Sequence, residues 1–267
     1  MKSFFAWAAS ITAITLLAAG ASFASDASPA PDPASEPAPP PGVYVKEFLP
    51  DVAGGTKRIF SEDNLPLALI GTGLAGLALT QDHRVKDYFQ DRNPMEHVAK
   101  IGDKIGLYYH VVVGAALWGT GELVDNKKLA DTGDVTLQAL LVTGVSTELL
   151  KYTVRRKRPN SGNNMSFPSG HASMTTAMAA SISGMYDWDP RLAIPLYATA
   201  AFVGATRLQA NEHYLSDVLA GMTLGTLVGA SFAKYHKEKD ASTSAQRLTF
   251  LPLYDRDIRG GLLVYRY

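Results

Sequence analysis

Three short clusters put basic, imidazole and carboxylate side chains at spacings suited to anion chemistry. The first is Lys151–Pro159, KYTVRRKRP. Lys151 and Arg158 are two helical turns apart, so a helix would turn both cations the same way. Pro159 disfavours helix at the residue before it, which puts the helix end near Arg158. Two cations on one face at a helix end form an anion clamp, and the arginine fork suits phosphate oxygens. A solvated basic turn would have the same composition. Arg155, Arg156 and Lys157 read as surface or anion-steering charges. The second cluster is Pro168-Ser169-Gly170-His171. Ser169 is a natural helix cap, and Gly170 allows close approach of backbone to ligand. The N–H groups of the helix start then offer an anion site beside His171. Taken alone, this is also how an ordinary capped helix with an incidental histidine would look. The third cluster is Arg207, His213 and Asp217. On a helix, His213 and Asp217 at i and i+4 share a face. A carboxylate beside imidazole fixes the tautomer and aims the reactive nitrogen, although a purely structural His–Asp pair has the same spacing.

The elements that must position these groups are helical. Six apolar stretches of helical length follow residue 60: Leu65–Thr80, Ile105–Gly121, Val135–Tyr152, Ala172–Tyr186, Leu192–Thr206 and Val218–Tyr235. They are rich in Ala, Leu and Gly, which favours buried helices over strands. Gly221, Gly225 and Gly229 recur every fourth residue and give the last helix one smooth face for close packing. Each chemical cluster follows or opens one of these stretches, so helices three to six could gather all three at one end of a bundle. The charge-free windows are short against the roughly 20 apolar residues of a membrane span, which favours a compact bundle lying against a membrane over one that crosses it. The short runs Arg247–Tyr254 and Gly261–Tyr267 are β-branched and aromatic, joined by a turn, and read as a β-hairpin. The expected fold is therefore all-α, a six-helix bundle with a short C-terminal β-hairpin.

The amino-terminal part reads differently. Lys2, the apolar run from Phe4 to about Ala19, and small Ser22 and Ala24 form the pattern of a cleaved export signal. Residues 25–45 are proline-rich and serve as a semi-extended tether. The expected segments are 1–24 signal, 25–45 linker, 46–246 helical domain and 247–267 hairpin, with delivery to the periplasm or cell envelope. Basic and acidic residues balance at 25 each, which gives no basic excess for nucleic acid. The absence of cysteine excludes disulfides and thiolate metal sites. The six histidines show no compact ligand motif. His83, His97 and His236 read as surface residues in polar loops, and His110 as a satisfied core histidine.

KYTVRRKRP, PSGH and RLQANEHYLSD, in that order and helix context, resemble the tripartite signature of the type 2 phosphatidic acid phosphatase family. Its superfamily also holds bacterial non-specific acid phosphatases and vanadium-dependent haloperoxidases. The likeness covers about Leu65–Tyr235. One departure is Thr206, where the family often has serine; the hydroxyl is kept. The resemblance implies a metal-independent phosphoric monoester hydrolase without cofactor. His213 would attack phosphorus, Asp217 would orient it, and His171 would act as general acid and then base. Lys151, Arg158 and Arg207, with the backbone at Ser169 and Gly170, would hold the phosphoryl oxygens. Glu148 would pair with Lys151. The substrate would be a phosphorylated lipid or a small phosphomonoester. A vanadate-dependent haloperoxidase and a non-catalytic envelope protein that binds phosphorylated ligands are the alternatives.

Overall fold

The computed structural model describes residues 41–95, 109–254 and 259–265. The expected signal, the tether as far as residue 40, and His97 lie outside the described residues; residues 41–45, expected to be tether, instead form the start of a helix. The helices are α1 (Pro41–Ile59), α2 (Leu65–Leu79), α3 (Asp82–Arg92), α4 (Tyr109–Leu123), α5 (Lys127–Val154), α6 (Gly170–Met185), α7 (Pro190–Gln209) and α8 (Leu215–Arg247). Strands β1 (Leu248–Tyr254) and β2 (Arg259–Tyr265) pair antiparallel, with Leu248 opposite Tyr265 and Tyr254 opposite Arg259.

The six apolar stretches correspond to α2 and α4 through α8. The expected count of six is nevertheless too low, because α1 and α3 are also helices among the described residues. Neither carries a long apolar run. The α3 sequence, DHRVKDYFQDR, is mostly polar, and its helix is held by tertiary contacts: Val85 and Phe89 pack on Leu208 and Val218. Helix α1 uses Gly54 and Gly55 to lie directly on the rings of Tyr235 and Phe232 of α8.

Helix α6 is the central element, with 13 of its 16 residues buried. A helix apolar on all sides belongs inside. Most of its buried hydroxyls are satisfied internally, by its own carbonyls (Thr176 to Ala172 O, 2.7 Å) or across helices (Thr136–Ser181, 3.0 Å; Thr147–Ser173, 2.9 Å), as buried polar groups require; Ser183 Oγ is the exception among the described residues. The glycine face of α8 lies against α6. A Cβ at Gly221, Gly225 or Gly229 would fall 2.5, 2.2 or 2.4 Å from the carbonyl oxygens of Ser169, Ser173 and Ala177. Leu140, Met178, Ile182, Leu192 and Leu196 fasten α5, α6 and α7 together, and Val135, Val228 and Phe232 fasten α5 to α8. Because α8 is locked to α6 along its glycine face, the starts of these two helices, with His171 and Asp217, are held side by side.

The outside of the bundle carries many large apolar side chains. Leu69, Leu74 and Leu77 on α2, Val111 and Val112 on α4, and Val145, Leu149 and Tyr152 on α5 are all exposed. Among the described residues one helix is long and apolar enough to cross a membrane, the Leu215–Thr243 part of α8, and half of its apolar window is buried inside the bundle.

Candidate active site

Helix α5 stops at Val154, where Arg155 takes a left-handed conformation (φ 51°) and donates its N–H to the carbonyl of Lys151 at 3.0 Å. The helix therefore ends earlier than Pro159 led us to expect, and Lys151 and Arg158 do not share a helical face. The chain instead folds back over the helix ends. Arg158 N–H donates to Asn163 O (2.9 Å), Ser166 N–H to Arg156 O (2.9 Å), and Ser169 N–H to Asp217 O (2.9 Å). This loop carries Arg158 to the same place as the end of α7. Arg158 Nη1 lies 2.9 Å and Arg207 Nη1 3.6 Å from one oxygen of Glu212.

The other cations converge as well. Lys151 pairs with Glu148 at 2.8 Å, as expected, and its Nζ lies 3.3 Å from where a Cβ on residue 170 would sit. Glycine at 170 thus leaves room for the ammonium at the start of α6. Ser169 caps that helix through its side chain. Arg207 is fully buried in the last turn of α7, and its Nε donates to Thr206 Oγ1 at 3.4 Å. The threonine hydroxyl thus contacts the arginine.

His213 is buried in the turn before α8. Its Nδ1 lies 2.6 Å from the backbone carbonyl of Ser166. A carbonyl can only accept, so Nδ1 carries the proton and Nε2 keeps its lone pair. Burial, then the nearby Arg158, Lys151 and His171, push the His213 pKa down to about 3, against the Ser166 hydrogen bond that raises it. The ring is neutral at ordinary pH, with its basic nitrogen among cations.

Asp217 does not hydrogen-bond His213. The Nδ1–Oδ2 separation is 4.0 Å, beyond hydrogen-bonding reach. The i,i+4 expectation fails because His213 precedes α8, and the loop carbonyl of Ser166 takes the place foreseen for the carboxylate. Asp217 acts one bond further back. It accepts from Ser166 Oγ (2.6 Å), Tyr214 N (2.9 Å) and Arg156 Nη1 (2.6 Å). Burial raises its pKa, while the Ser166, Tyr214 and Arg156 interactions pull it down.

Arg156 is not the surface charge its sequence context suggests. It is half-buried, its guanidinium lies 4.3 Å from the Tyr214 ring centre, and its Nη2 donates to Asp82 at 2.7 Å. Asp82, at the start of α3, is buried and also accepts from Ser216 N (2.9 Å) and Ser216 Oγ (2.6 Å). Two buried carboxylates thus share one arginine. Ser166, Arg156, Asp82 and Glu212 were not found from sequence. The hydrogen-bond partners of the Ser166, Arg156 and Asp82 side chains lie 46 to 134 residues away, so spacing does not mark them; Glu212 is close in sequence to Arg207 but far from Arg158.

His171 opens α6 and accepts, at its carbonyl, from Thr175 Oγ1 (2.8 Å). The same hydroxyl meets His110 Nε2 at 2.7 Å. His110 is fully buried, and its Nδ1 has no hydrogen-bond partner among the described residues, so it is only half satisfied. Burial and the neighbouring His171 lower its pKa to about 4. His83 is on α3, edge-on to Tyr214, and His236 is on α8, away from the site; neither occupies a loop. His236 lies 3.4 and 3.5 Å from Asp131 and Asp240. These three could hold an ion by proximity, but the Lys127 ammonium already pairs with both carboxylates. They lie roughly 30 Å along α8 from its site end.

Three lipid A 1-phosphatases share sequence with this chain. The one from Porphyromonas gingivalis is 38% identical over 80 residues, 30% of this chain and 18% of that protein. Those from Rhizobium johnstonii and Rhizobium etli are 32% identical over 101 residues and 31% identical over 108 residues, 32% and 35% of this chain and 40% and 45% of theirs. The chain spans less than half the length of each. A transmembrane PAP2-type phosphatidylglycerolphosphate phosphatase from Bacillus subtilis, solved by crystallography, gives a TM-score of 0.42 at 21% identity, covering 74% of this chain and 96% of that one. Residues 135–241, which supply Lys151, Arg158, Ser169, Gly170, His171, Arg207, His213 and Asp217, match the PAP2 superfamily.

Proposed function

We propose that this protein is a phosphatase of phosphorylated lipids that works through a phosphohistidine on His213. The observation that carries the reading is the 2.6 Å hydrogen bond from His213 Nδ1 to the Ser166 carbonyl. It commits the ring proton to Nδ1 and turns an unprotonated Nε2 into a nucleophile at neutral pH. Lys151, Arg158 and Arg207 supply the positive charge that the phosphoryl oxygens need as the trigonal-bipyramidal state develops. In the first step the Nε2 lone pair forms a bond to phosphorus, the P–O ester bond breaks, and His171 gives a proton to the departing alkoxide. In the second, water attacks phosphorus, His171 takes its proton, the P–N bond breaks, and inorganic phosphate leaves. The cations are side chains of this chain, so the scheme requires no metal.

The apolar exterior supports a lipid substrate. On α5 the exposed Leu149 and Tyr152 flank Lys151. On α2 the exposed Leu79 is three residues from Asp82, and on α4 the exposed Val111 and Val112 follow His110. Apolar surface therefore runs up to the end of the bundle that carries the cations. Acyl chains could lie on it while the phosphate enters the site. On α2 alone the exposed residues Leu65 to Leu79 cover roughly 21 Å along the helix axis. Such a surface suits contact with a bilayer, and the expected export signal would place the site on the periplasmic side.

The test is phosphate release by the purified chain. Phosphatidate and lipid A in vesicles, and a small chromogenic phosphomonoester in solution, are compared in the presence of chelator. Release from the lipids that disappears in His213→Ala, with a 32P-labelled protein adduct trapped in the wild type, supports the reading. Full activity in His213→Ala refutes it, and preference for the soluble ester refutes the lipid assignment.

A further inference from the structure

Glu212, immediately before the proposed nucleophile, carries a function that the phosphatase reading does not require. Its carboxylate oxygen lies 2.9 Å from Arg158 Nη1 and 3.6 Å from Arg207 Nη1. Its backbone is pinned on both sides: Glu212 N–H donates to Arg207 O at 3.2 Å, and its carbonyl accepts from Ser166 Oγ at 3.4 Å. The side chain, 30% exposed, is the part free to move. Arg158 also has a buried Nε with no acceptor among the described residues. The arginine pair therefore engages one carboxylate oxygen and retains a donor for a further anion oxygen.

We infer that Glu212 is an internal competitor for the phosphate site, and that its carboxylate must leave the arginines before a phosphoryl group can be held by them. This rests on the reading that Arg158 and Arg207 bind phosphoryl oxygens. A ligand that displaces a bound internal group has its apparent affinity reduced by the fraction of sites in the open arrangement. The penalty is the same factor for every phosphoryl ligand, so its consequence depends on how tightly each would otherwise be held. Inorganic phosphate has only its oxygens to offer and is held weakly, so product departs readily. A phosphorylated lipid has further anchorage on the apolar surface beside Lys151 and can displace the carboxylate. Glu212 thus loosens the hold on the inorganic product, while the extra apolar anchorage keeps the lipid ester bound.

Partly exposed ion pairs are each worth a factor of about two to five, so releasing two of them should tighten phosphate binding roughly tenfold. The measurement is calorimetric titration of inorganic phosphate into the full chain, in detergent, for wild type, Glu212→Gln, Glu212→Ala and Arg158→Ala. Glu212→Gln keeps the side-chain shape, and melting curves check that each variant folds. Roughly tenfold tighter phosphate in both Glu212 variants, with weaker phosphate in Arg158→Ala, is the expected result. Unchanged or weaker phosphate in the Glu212 variants, with Arg158→Ala still weakening it, overturns the competitor role and leaves the phosphate site standing. Phosphate bound by neither wild type nor Glu212 variants, or bound equally by Arg158→Ala, overturns the phosphate site and the competitor role together.

Discussion

Replacing Arg156 by alanine should destabilise the protein by about 3 kcal/mol. Arg156 is the only cation hydrogen-bonded to either Asp82 or Asp217 among the described residues, and both carboxylates are almost fully buried. Removing one partner of a buried ion pair costs about 3–5 kcal/mol, because the remaining charge is left uncompensated. The guanidinium is partly solvated, at 24% exposure, and each carboxylate keeps two other donors: Ser216 N and Oγ for Asp82, and Ser166 Oγ and Tyr214 N for Asp217. These features place the cost at the low end of that range. The stacking on Tyr214 adds about 0.5–1 kcal/mol. For an ordered region of this size, about 3 kcal/mol lowers Tm by roughly 6–12 °C. Thermal melts of wild type and Arg156→Ala at neutral pH test the value. Adding Asp82→Asn to Arg156→Ala removes one of the two stranded charges and should recover about 1–2 kcal/mol. A Tm within about 3 °C of wild type for Arg156→Ala, or a further loss in the double variant, would refute the shared-arginine reasoning.

Two more outcomes follow from burial and close packing. His213 and His110 are held at about 3 and about 4 against an ordinary 6.5, so between pH 6.5 and 4 the unfolded chain binds protons that the folded chain does not. Stability should then fall with acidification by about 1.4 kcal/mol per pH unit for each of them. His236 works in the opposite sense, since Asp131 and Asp240 raise its pKa against the lowering effect of burial. Comparing wild type with His110→Gln isolates one histidine: the difference in stability should shift by about 1.4 kcal/mol per unit between pH 6 and pH 5 melts, and an unchanged difference would refute it. Gly225→Ala would put a methyl 2.2 Å from the Ser173 carbonyl oxygen and should cost about 1–3 kcal/mol in a urea titration. Gly73→Ala, with nothing within 4 Å, should gain about 0.5–1 kcal/mol from helix propensity. Equal effects at the two glycines would refute the helix-on-helix contact.

The helices that position the site were legible because their apolar runs are long and their caps local. Ser169 before α6 and the glycine repeat of α8 need only neighbouring residues to be recognised, and both serve as their local chemistry indicates. Helices α1 and α3 were not legible, since tertiary contacts hold them; α3 is mostly polar, and the α1 sequence is interrupted by Pro50, Gly54 and Gly55.

The sequence by itself picked out Lys151, Arg158, Arg207, His171, His213 and Asp217 as candidates. Arginine forks, a capped helix start with histidine, and a histidine near a carboxylate are properties of residue type and short spacing. The tertiary structure alone decided how they are wired. The group that fixes the His213 tautomer is a backbone carbonyl 47 residues away, and every residue has a carbonyl, so no residue type announces it. The charge that balances Asp217 comes from 61 residues away, and that arginine also binds Asp82, 74 residues distant. Such pairings cannot be read from spacing. Folding compels them nonetheless, because a buried carboxylate without a donor is too costly to persist.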